Sequence, residues 1–88
     1  MTNTMGERIK LARVTENMTT KDLERLTDID RSTWGNVEGG RQRANEDHLN
    51  ALKKIMPKYM YWIVTGETLP ECGQVKPEIN QEENNDAT

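Results

Sequence analysis

Side chains able to make or break bonds are scarce in this sequence. It holds one histidine, His48, and one cysteine, Cys72. A lone thiol leaves no intramolecular disulfide and no multi-cysteine zinc site, and a single imidazole adds too few ligands for a metal centre. No nucleophile lies near His48 along the chain, and there is no phosphate loop, dinucleotide fingerprint or metal-ligand spacing. Both residues read as incidental, so neither an enzyme nor a cofactor is expected. What remains is the chemistry of hydrogen bonds and charge. It concentrates in the run Gly39-Gly40-Arg41-Gln42-Arg43, where glycines let backbone amides point at an anion and two arginines supply positive charge.

The charge separates along the chain. Residues 1–66 carry 11 Lys/Arg against 9 Asp/Glu, whereas residues 67–88 carry 1 against 6. The net charge of −3 therefore belongs to the C-terminal segment, and the rest of the chain is free to meet a polyanion where its positive charges cluster. With 88 residues, 33% of them hydrophobic and none of them Phe, a single domain with a small core is expected. No apolar run approaches the ~18 residues of a membrane span, and the N-terminus lacks a signal-peptide core. A soluble, cytoplasmic protein without a membrane partner is the expectation.

The elements that must position these groups read as a string of short helices. Thr4 and Glu7 have the spacing of a capping box, in which a hydroxyl accepts from an early amide and the acid reaches back. The helix they open runs to about Glu16, with Asn17 suited to the left-handed position beyond its end. Thr19 and Asp22 repeat the start signal, and Leu23 faces inward on the second helix. Asp30 caps a third helix, Arg31 to about Glu38, stopped by Gly39-Gly40. Asn45, Glu46 and Asp47 open a fourth, along which Leu49, Leu52, Ile55 and Met56 form an apolar stripe. Pro57 opens the last helix and Gly66 closes it. From Leu69 onward prolines and polar residues dominate, a composition that cannot offset its ordering entropy.

Two short helices joined by a tight turn, the second capped and exposed, suit the DNA major groove, which is about 12 Å wide and admits one helix. At this point the sequence resembles the lambda-repressor/Cro-type helix-turn-helix domain family. The likeness covers residues 6–66. Its residues are Gly6-Glu7-Arg8-Ile9, Arg13, Met18-Thr19, Leu23, Ile29, Arg31-Ser32-Thr33, Val37-Glu38, Gly40 and Val64-Thr65-Gly66-Glu67. None is specific alone; the ordered set at family spacing is. The chain departs from the pattern at Glu24, usually Ala, and at Asp28, usually Gly in the turn. Leu26-Thr27 also reverses the usual polar-apolar order.

The resemblance implies an all-α fold, a compact five-helix lambda-repressor-like DNA-binding domain over residues 4–67 with a disordered acidic tail over 68–88. Its recognition helix would present Arg31, Ser32, Gly35 and Asn36 to base edges, Arg31 suiting guanine and Asn36 adenine. Arg31 and Ser32 have the alternative of gripping a phosphate, Asn36 of being merely exposed, and Gly35 of drift at an open position. Thr19, Thr20, Thr33, Gly40, Arg41 and Arg43 are the expected phosphate contacts, with solvated loop arginines the alternative for Arg41 and Arg43 and capping alone that for Thr19. Arg13 and Glu38 match a structural ion pair of relatives. Trp34 stands where the family has a core Ile or Val, and Ala12, usually Leu, makes room for its indole; a DNA or dimer contact is the alternative. Met60, Ile63 and Val64 fall on core positions of the last helix, which leaves Tyr59, Tyr61 and part of Trp62 facing outward as an expected homodimer interface, the alternative being ordinary surface aromatics over a small core.

The function implied is a sequence-specific transcriptional regulator. It would bind a palindromic operator on double-stranded DNA as a homodimer and repress by promoter occlusion. The resemblance stops before any second domain, so a self-cleaving repressor is not expected. The rival reading is an antitoxin or adaptor that binds another protein through this domain, with the acidic tail as partner segment.

Overall fold

Helix starts in this chain are set by short polar side chains that reach the first free amides. The computed structural model describes residues 4–77. Thr4 Oγ1 accepts from the Glu7 amide at 3.1 Å and the Glu7 carboxylate accepts from the Thr4 amide at 3.3 Å, opening α1 (Met5–Thr15). Thr19 and Asp22 form the same reciprocal pair, 3.1 and 2.9 Å, at the head of α2 (Thr20–Thr27). Asp30 accepts from the Ser32 amide at 3.0 Å to open α3 (Arg31–Glu38). Asn45 accepts from the His48 amide at 3.1 Å to open α4 (Glu46–Ile55).

The breaks between helices are equally local. Asn17 at φ 60° and Asp28 at φ 62° are the two non-glycine residues in the left-handed region among those described. Short Asn and Asp side chains tolerate that conformation at modest cost. Asp28 thus supplies the turn that glycine makes in the family pattern. Gly66, at φ 82°, ends α5 (Met60–Thr65).

Helix α1 packs on α3 and α5, and α2 packs on α3. The core they enclose contains Ile9, Ala12, Leu23, Trp34, Leu52 and Ile63, all fully buried. Two features hold α1 against α3. An added Cβ at Gly6 would lie 2.1 Å from the Val37 carbonyl oxygen, so only glycine allows the backbones this close. Further along, Arg13 meets Glu38 through two parallel bonds, Nε–Oε2 at 2.8 Å and Nη2–Oε1 at 3.0 Å. The side chains are 12% and 6% exposed, and Arg13 Nη1 also donates to the Met18 carbonyl at 2.8 Å.

The last helix is phased differently from expectation. Pro57–Tyr59 is a 3-10 turn rather than α-helix, and only then does α5 begin. Tyr59 is 4% exposed and Trp62 8%, both within the core, whereas Val64 is 44% exposed. The outward facing read for Tyr59 and Trp62 is therefore corrected, as is the inward facing of Val64; Tyr61 remains half-buried. The Tyr59 hydroxyl donates to Glu16 Oε2 at 2.8 Å, tying this turn to the end of α1.

Ordered chain also continues past the boundary read at residue 67. Leu69 and Gln74 form an isolated antiparallel bridge around a second 3-10 turn, Pro70–Cys72. Tyr59 provides no side-chain cap for α5. Gln74 does so instead, its Oε1 accepting from the Tyr61 amide at 2.9 Å while Nε2 donates to the Pro57 carbonyl at 3.0 Å. The Val75 amide donates to the Lys58 carbonyl at 2.9 Å, and Pro77 is buried. A polar segment is ordered here because it satisfies a helix start that lacks its own cap. The remainder of the expected tail, 78–88, lies outside the described residues.

Candidate nucleic-acid interface

The pair α2–α3, joined by Asp28, Ile29 and Asp30, gives α3 one buried face and one open face. Trp34, Val37 and Glu38 are buried. Arg31 and Ser32 are exposed at the N-terminal end, and Thr33, Gly35 and Asn36 are half-buried. Nothing lies within 4 Å of a Cβ built on Gly35, so its backbone stands open to the outside. Arg31, Ser32, Gly35 and Asn36 are thus brought onto one side of a helix whose opposite side cannot rotate away from the core.

The anchoring of α3 explains two departures in the sequence. The indole of Trp34 brings a donor into the interior, and a buried N–H without an acceptor costs about 1–3 kcal/mol. Thr27 supplies that acceptor. Its hydroxyl accepts from Trp34 Nε1 at 3.1 Å and from the Ile29 amide at 3.2 Å, while donating to the Leu23 carbonyl at 2.5 Å. The reversed Leu26-Thr27 order is thereby explained, with the hydroxyl turned inward and Leu26 left 47% exposed.

His48 is a second anchor, and the sequence reading missed its role. The ring is 3% exposed and meets Trp34 edge-on, with centroids 5.1 Å apart and planes at 72°. Its Nδ1 accepts from the Asn45 amide at 3.0 Å, completing a capping box in which imidazole stands where Glu is usual. Burial holds its pKa below the ordinary 6.5, opposed by the nearby Asp47 charge. The Asn45-to-His48 spacing was the available signal. Arg8, also buried, donates from Nε to the Ile63 carbonyl at 2.9 Å across 55 residues, and no local pattern announces it.

At the tip of α3 the Ser32 hydroxyl donates to the Asp30 carboxylate, and this bond with the Ser32 amide bond holds the Asp30 pKa below the usual carboxylate range. Ser32 thus turns its proton to its own cap and keeps oxygen lone pairs for any partner. Thr19 is exposed and engaged in capping, and Thr20 is half-buried in the first turn of α2.

The glycine loop differs from expectation. The amides of Gly39 and Gly40 donate to the Gly35 and Val37 carbonyls at 2.9 and 3.2 Å. Those of Arg41 and Gln42 both donate to the Asn36 carbonyl, at 2.9 and 3.2 Å. Amides 39–42 are therefore turned inward, and the expected amide cradle for an anion is not formed by them. The reason is helix termination: α3 ends in orphan carbonyls, and the loop curls back to satisfy them through Gly40 at φ 82°. Gly40, Arg41 and Arg43 remain exposed, so charge on this loop is offered by side chains. Among the described residues no cluster of His, Cys, Asp or Glu has the arrangement of a metal site, and no helix is long and apolar enough to cross a membrane.

No family model matches the chain. Individual proteins do. The chain is 32% identical over 90 residues to Repressor protein C of Escherichia phage P2, an alignment covering 100% of this chain and 91% of that relative. The structure of Pf6r, from the filamentous phage Pf6 of Pseudomonas aeruginosa PA01, shares the fold with a TM-score of 0.66 and 29% identity, over 89% of this chain and 100% of the other. Sequence identity at that level along the whole chain, on a fold that a second phage protein shares, makes this chain a member of the phage repressor protein C family.

Proposed function

We propose that this chain is a DNA-binding transcriptional repressor of the lambda-repressor/Cro helix-turn-helix type. It binds a palindromic operator as a homodimer and represses by occluding a promoter. The observation that carries this reading is α3 itself. Three of its residues are locked in the core, and Arg31, Ser32, Gly35 and Asn36 share the accessible side. Placed in a major groove, the Arg31 guanidinium is a bidentate donor for guanine and the Asn36 amide pairs with adenine, each worth ~1–3 kcal/mol of discrimination. Thr19, Thr20 and Thr33 flank the groove on the phosphate side. Arg41 and Arg43 bring charge from the loop, and Gly40 permits close approach by lacking a side chain.

Dimerisation uses the accessible side of the last helix, where Val64 is exposed and Tyr61 half-buried; Tyr59 and Trp62 are excluded by their burial within the protomer. A two-fold pair of recognition helices then reads half-sites about 34 Å apart. The net negative charge of residues 67–88 makes no contribution to holding phosphates.

The test is selection of binding sites from a random DNA pool at two salt concentrations. A palindromic consensus with affinity falling steeply in salt is the expected result. Absence of enrichment at either salt refutes the reading.

A further inference from the structure

The loop after α3 does more than terminate the helix: it holds Asn36. Arg41 Nε donates to Asn36 Oδ1 at 3.1 Å, while the amides of Arg41 and Gln42 donate to the Asn36 main-chain carbonyl. Both glycines serve this arrangement. Gly40, at φ 82°, turns the chain back toward α3. Gly39 leaves the space that the guanidinium fills, since a Cβ there would lie 3.0 Å from Arg41 Nη1 and 3.4 Å from Cζ. A free asparagine side chain presents its oxygen and its nitrogen interchangeably by rotation about its last bond. With Oδ1 held by Arg41, one orientation is selected: the NH2 group points away from the loop, and one oxygen lone pair remains for a base edge.

We propose that Arg41 is a positioning residue for base readout by Asn36, so that a residue outside the recognition helix sets base preference at the position Asn36 meets. This rests on the DNA-binding reading above. It departs from the simpler role of Arg41 as a phosphate-gripping charge, under which its loss weakens all sequences alike. Because the guanidinium has further N–H groups besides Nε, contact with a phosphate and the tether to Asn36 are compatible.

The experiment measures relative affinities over a library of single-base variants of the selected operator, at two salt concentrations, for the full chain and for Arg41→Lys, Asn36→Ala and the double variant. Lysine keeps the charge and loses the planar fork. Arg41→Lys is expected to leave the salt dependence unchanged and to reduce discrimination about fivefold at one base pair per half-site, the same pair that Asn36→Ala relaxes. In the Asn36→Ala background the lysine substitution then changes no preference. Gly39→Ala, whose Cβ would lie 3.0 Å from the guanidinium and 3.2 Å from the Gly35 carbonyl oxygen, alters no charge and shifts preference at that same pair. A uniform loss of affinity in Arg41→Lys, with every base preference intact, overturns the proposal and leaves the repressor reading standing. A full chain without preference at any base pair overturns both.

Discussion

Two glycines in this chain should respond to the same substitution with opposite sign. At Gly6 a Cβ would sit 2.1 Å from the Val37 carbonyl oxygen and 3.2 Å from that of Glu38. Both atoms are backbone, so relief requires α1 and α3 to separate by roughly 1 Å, because carbon and oxygen in contact lie more than ~3 Å apart. Separation also strains the bidentate Arg13–Glu38 pair that bridges the same helices. Overpacking of this kind costs about 1–3 kcal/mol, and occasionally more, for side chains that have somewhere to move. Here the upper end applies, offset by less than ~1 kcal/mol of helix propensity. Gly6→Ala should thus lose about 2–3 kcal/mol, against the ~5–15 kcal/mol of an ordinary domain.

Gly35 is the control. It lies mid-helix with nothing within 4 Å of the added Cβ, so Gly35→Ala should gain about 1 kcal/mol from propensity alone. Urea unfolding read from the midpoint at constant slope measures both. In thermal melts the pair should separate by more than ~10 °C. A neutral or stabilising Gly6→Ala would refute the close approach of α1 to Val37. The same Gly35→Ala protein also decides between the two readings of that glycine. Operator affinity that falls while stability rises marks a close approach to the groove, and unchanged affinity marks an open position without a role.

Other perturbations test the remaining anchors and the reading face. Glu38→Ala leaves the largely buried Arg13 guanidinium without its carboxylate and should cost about 3 kcal/mol in the same unfolding assay; a cost within ~0.5 kcal/mol would mean the pair is solvated. Because His48 is neutral in the fold and its pKa lies below 6.5, the unfolded chain takes up the proton first as pH falls. The His48 contribution to stability is therefore full above pH 6.5 and declines below it, and in His48→Gln melts that part of the pH dependence should vanish. Arg31→Ala should relax preference at one base pair per half-site by ~1–3 kcal/mol in competition binding. Arg43→Ala should instead weaken all sequences alike and lower the salt slope by about 1; equal losses across every sequence for Arg31→Ala would remove its reading role.

Much of this architecture is determined within four residues of chain. The Thr4–Glu7 and Thr19–Asp22 boxes, the Asp30 and Asn45 caps and the left-handed Asn17 and Asp28 all involve partners two to four residues away. Their chemistry is complete before any helix meets another, so the sequence alone shows it. The ordered face of α3 has the same origin, since Trp34, Val37 and Glu38 recur at helical spacing.

The tertiary structure decided what depends on distance or on phase. Pro57–Tyr59 winds as a 3-10 turn, and three residues at ~3.0 per turn rather than ~3.6 rotate α5 by roughly 60° relative to a continuous helix. That rotation helps carry Tyr59 and Trp62 inward and Val64 outward, against a periodicity counted as unbroken α-helix. Residues 69–77 looked too polar to order, yet Gln74 caps α5 from 13 residues away. The glycine loop looked open to an anion, but its amides answer the orphan carbonyls of α3, a need that exists only once the helix ends there. Arg8 reaching Ile63 and Thr27 receiving the Trp34 indole are likewise contacts between separate elements, invisible to any window along the chain. Local hydrogen-bonding rules set where each helix starts and stops; burial and the satisfaction of every interior polar group set which side of it the solvent sees.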